Sequence, residues 1–470
     1  MYKATIGIEV HAFLTSDLKV FSNSKNSYSD TPNIFVNERD LGMPGTLPKL
    51  NKDVIDMALA AALALNCNIN KVMHFDRKNY FYPDLPKGYQ ITQNKTPIGF
   101  DGYVEIEVSG ETKKIRIERI HIEEDTAKSK HVGDSTYLNF NRAGCPLVEI
   151  VTKPDIKSEK EAMQYVKELR NILLYLGISD VKMEEGSLRC DANVSLSKDE
   201  VLGNKVEVKN IGSITNVGNA ISYEIKRQQE ILESNGTVIE ETRRFDDVNK
   251  KTISMRVKEK NNDYRYFPEP DIPFVHITDE EIDKIKEKMP MLPKEMKTLF
   301  SKKGINPKNI EALLLNKELA FVMLNLGDCV NFVKASNILT GDVSGYLNEK
   351  SISLEKTNFD ISRFEKIVEL VDNNTISSKH VKDIIPVFLE KVDDINKIMD
   401  DLSIKQISDE DSVLKIIKEV LNKNEGAIKD YKDGKDKAFK YLMGQVMKET
   451  KGQVNPGLAS KLLSQELKKQ

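Results

Sequence analysis

The sequence contains no tryptophan and only four cysteines, which stand far apart. Cys67, Cys145, Cys190 and Cys329 form no C-x-x-C pair, so neither a disulfide framework nor a cysteine zinc site is indicated. The chain also lacks an apolar run of membrane-spanning length, and it does not begin with a charged segment followed by an apolar one. These absences predict a cytoplasmic protein that does not associate with a membrane.

The short motifs that mark common nucleotide and zinc sites are missing as well. The chain has no G-x-x-x-x-G-K-S/T, no G-x-G-x-x-G and no H-E-x-x-H. These absences argue against a standard nucleotide-binding loop and against zincin chemistry. What the sequence holds instead is a balance of 73 acidic and 70 basic residues over 470 positions. A chain of this length is expected to form about two or three domains.

One strand-like segment ends in three consecutive carboxylates, Glu123, Glu124 and Asp125. Such charges repel one another unless a cation or a basic ligand compensates them. The apolar alternation before them slips by one residue around Glu118-Arg119, which predicts a β-bulge. After the slip, His121 shares a face with Glu123 and Asp125, whereas Glu124 points the opposite way unless the strand has already ended. A solvated acidic strand exit is the alternative interpretation.

Other acidic residues also stand at or within apolar strands. Glu9 and His11 end the buried strand predicted at residues 3–10, and their spacing of two directs both side chains the same way. Glu149 interrupts the apolar strand 147–151 and needs a partner there, because an uncompensated buried charge is costly. A salt bridge and a metal ion are both possible partners.

Two further stretches have the composition of ligand-binding surfaces. Residues 75–90 mix basic and aromatic residues, including Lys78 and Lys87, with prolines. This mixture is typical of surfaces that stack bases and hold phosphates, and equally of an aromatic loop packed on a sheet. The strand at residues 188–196 alternates clearly. Its apolar face is Cys190, Ala192, Val194 and Leu196, and its polar face is Arg189, Asp191, Asn193 and Ser195.

Beyond Pro293 the pattern changes from strands to helices with charged exposed faces. The segment from Tyr431 to Gln470 carries nine lysines against four acidic residues, a local charge of +5. Such a tail could bind a nucleic-acid backbone, although a solvated lysine-rich helix face is the commoner explanation.

Taken together, these residues predict a metal-dependent, phosphate-handling enzyme with an RNA-binding helical appendage. Oxygen ligands with one imidazole favour Mg²⁺ or Mn²⁺ over zinc. Phosphoryl transfer needs cations beside basic residues, because it depends mostly on positioning and charge neutralisation. The rival hypothesis is a non-catalytic RNA-binding or scaffolding protein whose acidic residues are merely salt-bridged.

Several long motifs of the chain resemble the B-subunit family of aspartyl/glutamyl-tRNA(Asn/Gln) amidotransferases, in the same order over nearly the whole length. The C-terminal part is similar more loosely, at Met443-Gly444 and Asn455-Pro456. The motifs that carry the resemblance are Gly7 to His11, Met43 to Pro48, Arg77 to Gln90, His121 to Lys128, Asn141 to Thr152, Met183 to Ser195 and Asp263 to Asp271.

The resemblance implies a ligase of protein biosynthesis that works as a heterotrimer. An amidase A subunit would release ammonia from glutamine, and a small C subunit would complete the assembly. The B subunit would use ATP and Mg²⁺ to phosphorylate the side-chain carboxylate of Glu-tRNA(Gln) or Asp-tRNA(Asn). Ammonia would then displace the phosphate. The resemblance does not decide between the Gln and Asn pathways, and it does not identify the residues that contact ATP.

For the site, the resemblance implies His11, Glu124 and Glu149 as Mg²⁺ ligands. It places Glu9, Glu123 and Asp191 at the border of the same site, where they would hold a second ion or orient the substrate. The sequence leaves open which of Glu123 and Glu124 binds the metal. The resemblance implies Glu124, but the alternation of the strand directs Glu124 away from the face of His121. Charge and motif position add Lys78, Lys87 and Arg189 as candidates for phosphate contacts.

The implied fold is α+β and has three parts. Residues 1–292 would form a catalytic cradle built on an antiparallel sheet, and residues 293–405 an all-helical domain. Residues 406–470 would form a YqeY-like helical tail. The two helical parts would bind the tRNA body, which strengthens the RNA interpretation of the +5 segment.

The sequence departs from the family pattern at two places. Many members carry a cysteine zinc knuckle, but the corresponding residues here are Ser22, Ser24, Asn37 and Asp40. We therefore predict no zinc and expect packing or hydrogen bonds to hold that loop. After Asn210 the usual Leu-Asn-Ser-Phe-Arg is Ile-Gly-Ser-Ile-Thr. The lost aromatic and arginine leave a second hypothesis open, namely a divergent paralogue that binds tRNA with altered or lost catalysis.

Overall fold

The computed structural model describes residues 2–199, 201–257, 264–404, 410–432, 436–450, 454 and 456–469. The chain divides into two compact units, Met1–Leu292 and Pro293–Gln470. The first unit is rich in strands and the second is helical, so the predicted α+β class is confirmed. The first unit spans the residues of the predicted cradle domain. The predicted boundary between residues 405 and 406 lies outside the described residues, and the three-part division stays a prediction.

Strands dominate the described part of the first unit, and four α-helices accompany them. The helices are α1 (Lys52–Ala64), α2 (Glu159–Leu176), α3 (Ile214–Glu233) and α4 (Asp279–Lys288). The strands are β1 (Lys3–Phe13), β2 (Asn68–Ile69), β3 (Val72–Met73), β4 (Asp76–Asn79), β5 (Tyr89–Thr92), β6 (Gly99–Val108), β7 (Glu111–Glu124), β8 (Lys128–Val132), β9 (Ser135–Asn139), β10 (Pro146–Thr152), β11 (Leu188–Ser197), β12 (Val206–Ile211), β13 (Glu241–Asp246), β14 (Lys251–Val257), β15 (Phe267–Pro268) and β16 (Val275–His276).

Nine of the described strands form one large sheet in the order β14-β13-β12-β11-β1-β10-β7-β6-β2. Neighbouring strands run antiparallel except β12 and β13, which are parallel and are joined through α3. A parallel pair needs such a crossover, because a tight turn can connect only antiparallel strands. Smaller sheets are formed by β15-β4-β5, by β16-β3 and by the hairpin β8-β9. The adjacent strands β11, β1, β10 and β7 of the large sheet bring together several motifs that are distant in the sequence.

Helices cover one face of the large sheet. Ile6, Ile8 and Val10 of β1 are buried in the same core as Leu169 of α2. Since successive side chains of a strand alternate between faces, the residues between these isoleucines and valine face the other side of the sheet. The apolar alternation of β11 behaves as predicted, because Cys190, Ala192, Val194 and Leu196 are all buried.

The helices begin and end where local chemistry predicts. Asn51 caps α1 by accepting a hydrogen bond from the Asp53 N–H. Ser158 caps α2, and α2 ends at Gly177, which adopts a left-handed conformation with φ 74°. At the divergent segment after Asn210, Ser213 caps α3, so the sequence change keeps a normal helix start.

The predicted bulge in β7 is confirmed. Val151 of β10 pairs with Arg119, but the next residue pairs with Ile117, so Glu118 has no partner across β10. The extra residue reverses the faces of the side chains that follow it. Apolar residues on both sides of the slip can therefore face the same core. The four isoleucines that define the slip, Ile115, Ile117, Ile120 and Ile122, are all fully buried.

A hydrogen-bond cluster around Asp40 holds the loop before α1. The Ser22 Oγ donates to one Asp40 oxygen at 2.6 Å, and the Ser24 Oγ donates to the other at 2.5 Å. The Asn37 N–H donates to Asp40 at 3.0 Å. The ammonium of Lys19, which is fully buried, lies 3.3 Å from Asp40. Hydrogen bonds and one buried ion pair thus order this loop, and the expected absence of zinc stays a prediction.

The second unit consists of helices. In its last part, Val413, Ile417, Leu442 and Leu463 belong to one buried cluster. Within the described residues, none of the helices is both long and apolar enough to cross a membrane. The helices are α5 (Pro293–Lys302), α6 (Pro307–Leu315), α7 (Lys317–Leu324), α8 (Phe332–Ile338), α9 (Ser344–Lys350), α10 (Ile361–Asp372), α11 (Ser378–Glu390), α12 (Ile395–Asp401), α13 (Glu410–Lys423), α14 (Glu425–Lys432), α15 (Asp436–Glu449) and α16 (Pro456–Lys469).

Candidate metal centre

The face of the large sheet opposite the apolar core carries a row of polar side chains on four adjacent strands. His121 of β7 pairs with Glu149 of β10, and Glu149 pairs with His11 of β1. His11 in turn pairs with Arg189 of β11. Paired residues on one face of an antiparallel sheet have their Cβ atoms about 5 Å apart. The sheet therefore brings residues from distant parts of the sequence into one cluster.

The carboxylates of this cluster surround the two imidazoles. The His11 Nε2 lies 3.2 Å from a Glu149 oxygen, 3.4 Å from a Glu123 oxygen and 3.7 Å from a Glu9 oxygen. The His121 Nε2 lies 3.2 Å from the same Glu149 oxygen and 3.9 Å from Glu123. Glu149 is therefore the member that both histidines share. We call these five residues the carboxylate–histidine cluster.

The cluster shifts the pKa values of its own members. Burial alone would lower the pKa of His11 and His121, but the neighbouring carboxylates outweigh burial and raise each pKa to about 9. Burial alone would raise the pKa of Glu149, but the two imidazoles hold it well below its usual value. Burial and the nearby Glu149 raise the pKa of Glu9. The carboxylates thus create a strongly negative potential that favours a cation between them.

The donor atoms of the cluster are suitably placed for a metal ion. Glu9, His11 and Glu149 offer ligand atoms that all lie within 4.8 Å of one another, and so do His121, Glu123 and Glu149. Each set contains one imidazole and two carboxylates. A donor set dominated by oxygen fits a hard cation such as Mg²⁺ or Mn²⁺. Glu149 belongs to both sets, so two neighbouring ions could share it.

The structure does not bring Glu124 into this cluster. Glu123 and Glu124 are consecutive residues of β7, so their side chains leave opposite faces of the strand. The Glu124 carboxylate accepts a hydrogen bond from the Lys87 ammonium at 2.5 Å and one from the Ile91 N–H at 2.8 Å. Of the two candidate glutamates, Glu123 therefore lies at the cluster and Glu124 in an ion pair behind it.

Two other predicted site residues are also engaged in ion pairs. The Arg189 guanidinium donates to the Asp125 carboxylate at 2.5 Å and stacks on the Phe13 ring. Asp191 accepts a hydrogen bond from the Lys209 ammonium at 2.5 Å. Both pairs lie beside the carboxylate–histidine cluster, since Asp191 pairs with Glu9 and Arg189 with His11 across the sheet. They form a charged border around it.

Lys78 differs from the other predicted basic residues. Within the described part of the chain its ammonium has no carboxylate within the 4.0 Å of an ion pair. Its nitrogen lies 5.0 Å from the centre of the Tyr264 ring and 5.9 Å from that of Tyr80. Burial alone would lower the pKa of Lys78, but Glu123 and other neighbouring groups outweigh burial and raise it. Lys78 is therefore a positive charge that faces the cluster without being paired to it.

The structure adds functional candidates that the sequence alone did not assign. The alternation of side chains along the strand predicts that His121 lies on the same face as Glu123. This was the signal in the sequence that could have identified His121 as a member of the cluster. Asp125 also orients Arg142, whose Nε lies 2.6 Å from it. Lys209 bridges Asp191 and Glu207 at 2.5 and 2.9 Å. Glu207 and Lys209 lie two residues apart on β12, whereas Asp191 lies on β11 and Arg142 follows Asp125 only after the β8-β9 hairpin. The local sequence therefore indicates neither the Lys209–Asp191 pair nor the Arg142–Asp125 pair.

Comparison with known proteins identifies the family of the chain. A family model described as the GatB/GatE catalytic domain matches residues 4–283, and one described as a GatB domain matches residues 326–467. The B subunit of an aspartyl/glutamyl-tRNA(Asn/Gln) amidotransferase from Staphylococcus aureus strain MRSA252 is 46% identical over 100% of this chain and 99% of its own length. The protein of the same name from Enterococcus faecalis strain ATCC 700802 / V583 is 44% identical over the same shares. The chain therefore belongs to the GatB family of amidotransferase subunits.

Proposed function

We propose that this chain is the B subunit of a tRNA-dependent amidotransferase, a carbon–nitrogen ligase of protein biosynthesis. It would phosphorylate the side-chain carboxylate of Glu-tRNA(Gln) or Asp-tRNA(Asn) with ATP. The observation that carries the proposal is the carboxylate–histidine cluster, which lies within a chain that matches the GatB family from end to end. Identity of 46% over the full length supports this function rather than that of a divergent copy without catalysis.

We assign Mg²⁺ to the carboxylate–histidine cluster, with Glu123 in place of Glu124. His11, Glu123 and Glu149 would be ligands, and His121 and Glu9 would complete the two donor sets. A cation bound there neutralises the charge of phosphate oxygens. Asp191 and Lys209 would border the site and limit where the substrate can lie. We continue to expect no zinc.

The basic residues divide into different roles. Lys78 has a free charge directed at the cluster, so we assign it the contact with the transferred phosphoryl group. Lys87 forms an ion pair with Glu124, and Arg189 forms one with Asp125. We therefore assign these two residues to shaping the site rather than to the first contact with phosphate.

The proposed reaction follows from the chemistry of carboxylates. A side-chain carboxylate is a poor electrophile, because its leaving group would be an oxide. Attack of its oxygen on the γ-phosphorus of ATP breaks the bond to ADP and forms an acyl phosphate. Ammonia then attacks the carbonyl carbon, phosphate leaves with the bonding electron pair, and the lost proton passes to solvent. The products are the amide on tRNA, ADP and phosphate.

The proposed assembly follows from the same family membership. The chain would work in the cytoplasm with an amidase A subunit, which supplies ammonia from glutamine, and with a small C subunit. The helical second unit would bind the tRNA body. Its basic end, from Tyr431 to Gln470, would lie along the phosphate backbone.

Reconstitution tests this proposal. The chain is combined with the A and C subunits, ATP, Mg²⁺, glutamine and either Glu-tRNA(Gln) or Asp-tRNA(Asn), and ADP and amidated product are followed. We expect tRNA-dependent ADP formation and an amide with at least one of the two substrates. Omission of Mg²⁺ is the control and should abolish both signals. Absence of ADP above background with both tRNAs would refute the catalytic function, whereas ADP without amide would point to a fault in ammonia delivery.

A further inference from the structure

Lys78 is held in an unusual way for a lysine beside an acidic cluster. Its ammonium faces Glu123 and Glu149 electrostatically but is paired with neither of them. Two tyrosine rings, those of Tyr264 and Tyr80, lie within about 6 Å of its nitrogen, the range in which a cation is attracted to the face of an aromatic ring. The rings therefore determine where this charge lies.

The rings belong to a longer series of tyrosines. Tyr80 contacts Tyr82 at a centroid distance of 6.2 Å and Tyr264 at 6.1 Å, and Tyr264 contacts Tyr266 at 6.0 Å. All three contacts are edge-to-face, which is a favourable arrangement for aromatic pairs. The Tyr80 hydroxyl also donates to the Gln90 side chain at 3.3 Å. Tyr80 and Tyr264, the two rings beside Lys78, thus contact each other directly.

The backbone under Tyr264 is fixed by the strand that carries Lys78. The Asn79 N–H donates to the Tyr264 carbonyl at 2.9 Å, and the Asn79 side-chain amide donates to the Arg265 carbonyl at 2.8 Å. Arg265 adopts a left-handed conformation with φ 47°, which is strained for a residue with a side chain. Such strain persists only where surrounding contacts enforce it, and here both hydrogen bonds come from the residue that follows Lys78.

We propose that Tyr264 and Tyr80 are positioning residues that hold the Lys78 ammonium toward the carboxylate–histidine cluster, ready for the transferred phosphoryl group. The inference rests on the proposed function for the identity of that group. The rings attract the ammonium without neutralising it, so its full charge remains available to phosphate oxygens. A carboxylate partner, such as Glu124 for Lys87, would instead offset that charge.

Substitutions at Tyr264 test the proposal, because two replacements separate the ring from its hydroxyl. Tyr264→Phe keeps the aromatic face, whereas Tyr264→Leu keeps bulk but removes it. In the reconstituted trimer we expect Tyr264→Leu to lower kcat for ADP formation about tenfold, with the KM for ATP changed less than about threefold. Tyr264→Phe should stay within about twofold of wild type. Tyr82→Leu is the matched control, since that exposed ring lies against Tyr80 rather than Lys78, and it should also stay near wild type.

A second readout does not depend on catalysis. Acetylation of the intact chain with acetic anhydride, followed by peptide mass spectrometry, measures how accessible the Lys78 amine is. We expect Tyr264→Leu to raise its labelling rate severalfold and Tyr264→Phe to leave it unchanged. If Tyr264→Leu unfolds on thermal melting, Tyr80→Leu takes its place with the same expectation. Equal labelling in all variants would overturn the inference even if the proposed function stands. Failure of wild type to form ADP would refute the proposed function while the labelling result still decides the inference.

Discussion

Two neighbouring glutamates, Glu123 and Glu124, show how one strand builds two different electrostatic environments. Both side chains are almost fully buried, with 5% and 6% exposure. Glu123 faces the imidazoles of His11 and His121, which can lose their protons when a cation binds beside them. Glu124 faces Lys87, whose ammonium is a fixed partner. Two glutamates that are equally buried can therefore differ in function, because the group paired with each carboxylate determines whether that carboxylate can bind a cation.

The largest effect that we expect from the contrast between the two glutamates is on the stability of the fold. Glu124→Gln removes the partner of a nearly buried ammonium, so we expect the free energy of unfolding to fall by about 3–5 kcal/mol. Glu123→Gln removes one carboxylate partner of His11 and His121, but both imidazoles keep Glu149 and the repulsion among the carboxylates falls, so its cost should be smaller, about 1–2 kcal/mol. Denaturant unfolding of the isolated chain measures both values. Adding Lys87→Met to Glu124→Gln should recover most of the loss, and a double variant as unstable as the single one would contradict the ion-pair explanation.

The next largest effect is expected at the residue that both donor sets share. Glu149→Gln removes a carboxylate from each set, so we expect Mg²⁺-dependent ADP formation to fall by about 100-fold or more. The reconstituted trimer with saturating ATP provides the measurement. Retained affinity for tRNA in a filter-binding assay would show that the fold is intact. Activity within a few-fold of wild type would mean that the shared carboxylate is structural.

Metal affinity distinguishes the two glutamates from each other directly. Glu123→Gln should weaken Mn²⁺ binding by about 10- to 100-fold, whereas Glu124→Gln should change it by less than about threefold. Calorimetric titration of the folded variants with Mn²⁺ gives both constants. A larger loss in Glu124→Gln would restore Glu124 as the ligand and remove Glu123 from that role.

The smallest effect concerns the buried lysine and carboxylate in the loop before α1. Ser24→Ala removes one hydrogen bond to Asp40, whose other donors remain, so a loss of about 1 kcal/mol in unfolding free energy is expected. Thermal melting provides the measurement, with a shift of a few degrees. An unfolded loop after this single change would mean that the other hydrogen bonds to Asp40 contribute little.

Much of this organisation can be predicted from the sequence where the signal is local. The phase slip around Glu118 predicts the bulge, and the bulge fixes that Glu123 rather than Glu124 shares the face of His121. The alternation of β11 predicts its buried face in the same way. These features depend on the alternation of side chains between the two faces of a strand, and this alternation can be seen in consecutive residues of the sequence.

The partners of the charged residues could not be predicted in that way. Lys87 and Glu124 are 37 positions apart, and Arg189 and Asp125 are 64 positions apart. Whether a lysine meets a carboxylate or a tyrosine ring depends on which strands the sheet brings together. The sequence therefore suggested Lys78, Lys87 and Arg189 as equals, although only Lys78 lacks an acidic partner among the described residues.

Locating the bound ion would test the metal assignment itself. Crystals of the chain soaked with Mn²⁺ and ATP would give anomalous scattering that marks each bound ion independently of the protein coordinates. We predict a peak bonded to His121, Glu123 and Glu149, one of the two donor sets, with the Lys87–Glu124 ion pair intact behind it. A peak bonded to Glu124, or an ion that displaces Lys87, would contradict the assignment of Glu123 as the ligand.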